Sequence, residues 1–197
     1  MKITQVNVEV FTFPTRRSVD AAGHAHPGEE SLAKMAMLRI ATEDGVEGYA
    51  FGAPELIRPH IIDSFVRKVL IGQNVMDREK IWQDLAHWQR GSASQLTDRA
   101  LALVEQALWD WAGRKFKQPV HKLIGGYRDK VLAYGSTMCG DDLPCGLSTP
   151  EEYGRFAEQL VARGYKAIKL HTWMPPISFA PDPKMDVRAC AAVREAV

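Results

Sequence analysis

Cysteine is scarce in these 197 residues, with Cys139, Cys145 and Cys190 the only three. A sparse, odd set argues against a disulfide framework and for free thiols in a reducing compartment, so a cytoplasmic location is expected. Long apolar runs are missing too. The longest, such as 189–193, fall far short of the roughly 20 residues that span a bilayer. The opening Met1-Lys2-Ile3-Thr4-Gln5 has no signal-peptide core behind it. Charge of one sign is equally lacking, since 25 Lys plus Arg against 24 Asp plus Glu leave a net charge of +1. With no basic block, the chain lacks the footprint of a nucleic-acid or membrane-surface binder. Nor is there a phosphate loop, a dinucleotide glycine fingerprint, an H-E-x-x-H helix or a nucleophile elbow.

What is present is a globular composition, 46% hydrophobic, in a chain long enough to bury a core. Ile3, Val6, Val8, Val10, Phe11 and Phe13 recur with a loose period of two, which predicts a strand over 3–13 that Pro14 stops. Residues 14–31 are polar and punctuated by Gly and Pro, and they read as a long loop. A second strand, 33–42, leads through Glu43-Asp44-Gly45 into a third, 46–51. Asp-Gly between two β-like runs signals a hairpin, because glycine takes positive φ at little cost. Three helical stretches follow at about 55–70, 77–90 and 96–116. In the last, Leu96, Ala100, Leu103, Val104, Ala107, Leu108 and Trp111 form one apolar face. Core packing alone accounts for Trp82, Trp88, Trp109 and Trp111.

After Gly125-Gly126 the style changes to strand, helix, strand, helix. Residues 131–134 read as a short strand. Thr149-Pro150-Glu151-Glu152 carries three agreeing helix-start signals: a capping threonine, a proline at the first turn and a capping-box acid. That helix runs to Gly164, 165–171 is the next strand, 172–183 with four prolines is a loop, and 184–197 is helical again. Two βα units in succession argue for a parallel sheet or barrel.

Spacing picks out one chemical constellation, Lys169-Leu170-His171. On a strand, Ala167, Lys169 and His171 share one face and Ile168 and Leu170 the other. With the apolar pair packed on helices, the lysine and histidine face inward at a strand's C-terminal end, where parallel barrels build active sites, and either can act as a base. The competing reading has both in solvent at a frayed strand end. His24 and His26, two apart in the first loop, suit a substrate-covering loop better than a metal. Cys139 and Cys145 lie too far apart for a zinc knuckle, and Asp141-Asp142 reads as a polar turn.

Ala107-Leu108-Trp109-Asp110-Trp111-Ala112-Gly113-Arg114, followed by Gln118-Pro119-Val120-His121-Lys122-Leu123-Ile124-Gly125-Gly126, resembles the end of the capping domain in the enolase superfamily. The closer likeness is to its mandelate racemase and muconate lactonizing enzyme branch. Lys130–Ser136 resembles the first barrel strand, and Gly164–His171 falls where that branch carries a Lys-x-Lys motif. The resemblance implies an α+β capping domain, residues 1–125, followed by the start of a modified TIM (β/α) barrel, residues 126–197. It implies abstraction of the proton α to a carboxylate, with Mg²⁺ stabilising the enediolate. Lys169 would lie beside the carboxylate, and His171 replaces the usual catalytic lysine. Ser136 and Met138 would edge the pocket. His24, His26 and Phe51 would belong to the loops that close over a sugar acid or dicarboxylate, with residues 14–31 as a substrate-gated lid.

A TIM barrel needs about 250 residues, and only two βα units follow the capping domain. The metal-binding carboxylates and the opposing base of the branch lie on later strands. Glu151, Glu152 and Asp186, on helices, are poor stand-ins, so no metal ligand is assigned here. A partial record of a longer chain is the favoured explanation. The expected activity is a Mg²⁺-dependent sugar-acid dehydratase that assembles as a homo-oligomer. The alternatives are a racemase, epimerase or cycloisomerase of the same family, or a non-catalytic fragment or assembly module.

Overall fold

The structure is a computed structural model and describes residues 1–16, 19, 30–92, 95–137, 147–172 and 182–197. Its element order is β1 (Ile3–Thr15), β2 (Ser31–Thr42), β3 (Glu47–Gly52), α1 (Pro59–Ile61), a π turn (Ile62–Val66), α2 (Arg67–Leu70), α3 (Arg78–Gly91), α4 (Asp98–Phe116) and α5 (Val120–Leu123). There follow β4 (Gly135–Ser136), α6 (Pro150–Ala162), β5 (Ile168–Lys169) and α7 (Pro183–Ala196). Contacts divide the chain into two compact units. One holds Met1–Phe13 and Leu32–Tyr127, the other Pro14–Ser31 and Arg128–Val197.

The first unit is a three-stranded sheet in the order β1-β2-β3 with helices on one face. Thr4 Oγ1 donates to the Ala41 carbonyl and Thr15 Oγ1 to that of Ser31, so β1 and β2 run antiparallel. Pro14 does not stop β1, which continues to Thr15. An edge strand tolerates proline because one row of its amides needs no ladder partner. The β2–β3 register pairs Leu38 with Ala50 and Ile40 with Gly48 on the core face, and Met37 with Phe51 and Arg39 with Tyr49 on the other. Gly45, at φ +79°, makes the expected turn between them.

Helix α4 seats on β3. Its apolar face buries Ala100, Leu103, Val104, Ala107, Leu108 and Trp111, the expected stripe. It begins two residues later than periodicity suggests, because Thr97 is the cap and accepts the Ala100 amide at 3.2 Å. The approach depends on Gly48. A Cβ there would lie 2.2 Å from the Ala107 carbonyl oxygen and 2.6 Å from the Trp111 Cβ. Trp111 Nε1 donates to buried Thr42 Oγ1 at 2.9 Å. Asp110 covers the open edge of β3, its Oδ2 accepting the Tyr49 amide at 2.9 Å and Arg114 Nε at 2.7 Å. The Trp-Asp-Trp segment is therefore a clamp between helix and sheet. Trp109 packs at the core margin under the Arg78 guanidinium, whereas Trp82 and Trp88 are exposed rather than packed inside.

In the second unit β4 and β5 are parallel, Gly135 opposite Ile168 and Ser136 opposite Lys169. Helices α6 and α7 pack on them through Tyr153, Phe156, Ala157, Leu160, Met185, Ala189 and Val193. All three start signals of α6 are present. Pro150 opens the first turn, the Thr149 hydroxyl accepts the Glu152 amide, and the Glu152 carboxylate accepts the Thr149 amide. Gly164, at φ +96°, ends it, with its amide on the Val161 carbonyl and that of Tyr165 on Leu160.

Two strand expectations need correction. Residues 131–134 are not a strand: Val131 and Leu132 are 78% and 89% exposed, and pairing begins only at Gly135. A β-like run without a partner backbone has nothing to exchange hydrogen bonds with. The strand expected over 165–171 is likewise only Ile168–Lys169, the stretch that faces β4. Pro183, placed in the loop by the sequence, is instead in the first turn of α7, where its missing amide costs nothing.

Candidate active site

Strands β4 and β5 end side by side, and the candidate site lies at their last residues. Gly135 and Thr137 donate their amides to the carbonyls of Ala167 and Lys169, at 2.9 and 3.0 Å, which fixes the parallel register. Ser136 and Lys169 are opposite one another, both exposed. Ile168 and Leu170 pack against the helix cluster, as the alternation predicts, so Ala167 and Lys169 turn the other way. Lys169 is exposed rather than buried, because the two-stranded sheet puts no facing wall over that side among the described residues. His171, two residues on, is half-buried.

The backbone of His171 is held at both its polar groups. Its amide donates to Thr137 Oγ1 at 2.8 Å, and its carbonyl accepts from Tyr153 Oη at 3.3 Å. Thr137 is 1% exposed and Tyr153 0%. Sequence reasoning missed both. The available signal for Thr137 was alternation, which sets it with Gly135 on the helix-facing side, an apolar environment where a hydroxyl needs a partner. For Tyr153 it was a phenol three, four and seven residues before Phe156, Ala157 and Leu160 on the buried stripe of α6.

Nearby acids are occupied with structure. Glu152 accepts the amides of Ser148 and Thr149, and the Ser148 bond above all holds its carboxyl below the usual range. Asp186 accepts from Thr172 Oγ1, and Asp182 caps α7. Among the described residues no three His, Cys, Asp or Glu side chains come together to hold a metal, so these residues do not by themselves fit a magnesium site.

The structure thus brings together Ser136, Lys169 and His171. Phe51 lies in the other unit, 52% exposed on the outer sheet face, with its ring edge-on to Phe11 at 6.4 Å. His24, His26 and Met138 lie outside the described residues, as do Asp141, Asp142, Cys139, Cys145 and most of the loop expected as a lid. Cys190 is a free, exposed thiol. No helix among the described residues is long and apolar enough to cross a membrane.

Residues 7–125 match the family profile "Mandelate racemase / muconate lactonizing enzyme, N-terminal domain". Among solved structures, D-glucarate dehydratase from Agrobacterium tumefaciens, complexed with magnesium, superposes with a TM-score of 0.86 at 70% identity, over 100% of this chain and 51% of that one. A D-galactonate dehydratase family member from Pseudarthrobacter chlorophenolicus is 35% identical over 147 residues, 71% of this chain and 33% of its own. An L-Ala-D/L-Glu epimerase from Clostridium acetobutylicum is 28% identical over 169 residues, 82% of this chain and 42% of its own. The chain therefore spans about half of the first solved structure and a third to two-fifths of these curated relatives.

Proposed function

Because the chain belongs to the mandelate racemase and muconate lactonizing enzyme family of the enolase superfamily, we propose that the protein dehydrates a sugar acid, with D-glucarate as the first substrate to test. One observation carries the choice of substrate: the 70% identity to D-glucarate dehydratase runs over the whole of this chain, β4 and β5 included. The match to the epimerase is far lower, at 28%. It keeps epimerisation as the second reading, in which a base on each face of the substrate moves the same proton.

In the proposed reaction the bond between hydrogen and the carbon α to the carboxylate breaks, the electron pair forms a carbon–carbon double bond, and the β-hydroxyl leaves. The enol then tautomerises to a 2-keto-3-deoxy acid, and one water is released. Lys169 binds the substrate carboxylate as a point charge on the open side of β5. His171 takes the α-proton or gives a proton to the leaving hydroxyl, both within the range of an imidazole near neutrality. Ser136, opposite Lys169, supplies a hydroxyl at the pocket edge, and Met138 lies two residues beyond it in the chain. His24, His26 and Phe51 are proposed as further substrate contacts of the intact protein. Magnesium belongs to the proposal because the Agrobacterium enzyme was crystallised with it. When bound it would offset charge developing on the substrate carboxylate. Its ligands are not assigned to the described residues, and the proton and binding roles above are those of this chain's own side chains.

The test is His171→Asn in the intact protein as its cell makes it, assayed on D-glucarate with magnesium. Loss of a general acid or base is expected to lower kcat by about 100-fold or more. A kcat near that of the unaltered protein would overturn the role given to His171.

A further inference from the structure

Between β4 and β5 the ladder changes character at its last rung. The amides of Gly135 and Thr137 bond the carbonyls of Ala167 and Lys169. In a parallel ladder with evenly spaced bonds, the next bond from β5 would run from the His171 amide to the Thr137 carbonyl. The His171 amide instead goes to the Thr137 side-chain hydroxyl at 2.8 Å. That hydroxyl lies 3.4 Å from the Lys169 carbonyl, to which it donates, while the Thr137 carbonyl accepts from Ser136 Oγ at 3.4 Å. One buried oxygen thus connects the backbones of Lys169 and His171. On the other side of residue 171, Tyr153 reaches from α6 to the His171 carbonyl at 3.3 Å.

These two hydroxyls do what strand pairing no longer does past Lys169. A residue beyond the end of a two-residue strand has no ladder to fix its backbone, and its side chain would sweep through a wide arc. Holding its amide from β4 and its carbonyl from α6 fixes the peptide planes on either side of the Cα, and with them the direction in which the imidazole leaves the backbone. Both hydroxyls come from buried side chains, so the anchor is itself rigid.

We infer that Thr137 and Tyr153 are positioning residues that aim His171 at the substrate, Thr137 through the amide and Tyr153 through the carbonyl. The inference rests on the proposed role of His171. Neither side chain touches substrate, so their loss acts on kcat rather than on KM, because misaiming an acid or base costs rate without removing a binding contact.

The experiment compares Thr137→Val, Thr137→Ser and Tyr153→Phe in the intact protein, with His171→Asn beside them. Valine keeps the shape and strand preference of threonine but accepts no hydrogen bond, whereas serine keeps the hydroxyl. Expected for Thr137→Val is a fall in kcat of about tenfold to 100-fold with KM within about twofold, together with a displaced pH–rate profile. Thr137→Ser should restore most of the lost rate. Tyr153→Phe removes a single oxygen from a buried ring, is expected to lower kcat several-fold in the same pattern, and carries the test if the valine variant does not fold. A kcat and pH profile unchanged in folded Thr137→Val and in Tyr153→Phe, with His171→Asn inactive, would overturn the inference while leaving the role of His171 standing. An active His171→Asn would instead overturn that role, and the inference with it.

Discussion

Asp44 shows how a single residue of this chain combines what is local and what is not. It sits in the β2–β3 turn, where Thr42 Oγ1 donates to its Oδ1 at 2.5 Å and Lys115 Nζ to its Oδ2 at 2.5 Å. The lysine bond first, then the threonine bond, pull its carboxyl from 3.8 down to about 2. A carboxyl more acidic in the folded chain than in the unfolded one stabilises the fold above its unfolded pKa, and the gain is lost as pH falls through the folded value. Asp44→Asn is therefore expected to lower the urea midpoint at pH 7, and the gap to the unaltered protein should close as pH falls from about 4 towards 2. A gap that stayed constant over that range would contradict the assignment. The Asp-Gly turn was legible in the sequence because its reason is local, the positive φ that Gly45 takes without strain. The Lys115 bond was not, since it joins residues 71 apart. The same holds at the candidate site. Lys169 and His171 stand out as charged and titratable groups near a strand end, whereas Thr137 and Tyr153 matter through partners 34 and 18 residues away.

Among the elements, α4 and α6 were the most legible, because periodicity and caps are written within a turn or two of chain. The short parallel strands were not. A strand exists where another backbone faces it, so 131–134 have β-like side chains and no ladder, while 135–136 and 168–169 have one. The packing of α4 on β3 makes its own prediction. Gly48 has no room for a methyl group, since the obstructing atoms are the Ala107 carbonyl and the Trp111 backbone amide as well as its Cβ, none of which is the far end of a flexible side chain. Gly48→Ala is expected to cost about 3 kcal/mol, at the upper end of what overpacking usually costs. Urea denaturation of the two proteins measures it. A change below about 0.5 kcal/mol, typical of a surface position, would mean that the helix does not lie this close to the strand.

At the scale of the molecule, the family and the site are written in different places. The family profile covers residues 7–125 and ends before β4 begins. Within that stretch Asp110 and Trp111 clamp the edge and turn of the sheet, a packing role rather than a catalytic one. The candidate site lies at 136–171, beyond the residues that the family profile covers. There the reading rests on strand alternation and on the structure. The first solved structure matched is about twice the length of this chain, so the reaction is proposed for the intact protein.

In the proposed reaction this protein removes the proton α to the carboxylate of a sugar acid, and His171 handles a proton in that step. The most direct measurement is proton NMR of D-glucarate in deuterium oxide with magnesium and the intact protein. Expected is loss of substrate signals as a 2-keto-3-deoxy acid forms, with the rate lower by about 100-fold or more in His171→Asn. An unchanged glucarate spectrum, with neither exchange at the α-carbon nor product, would contradict the claim.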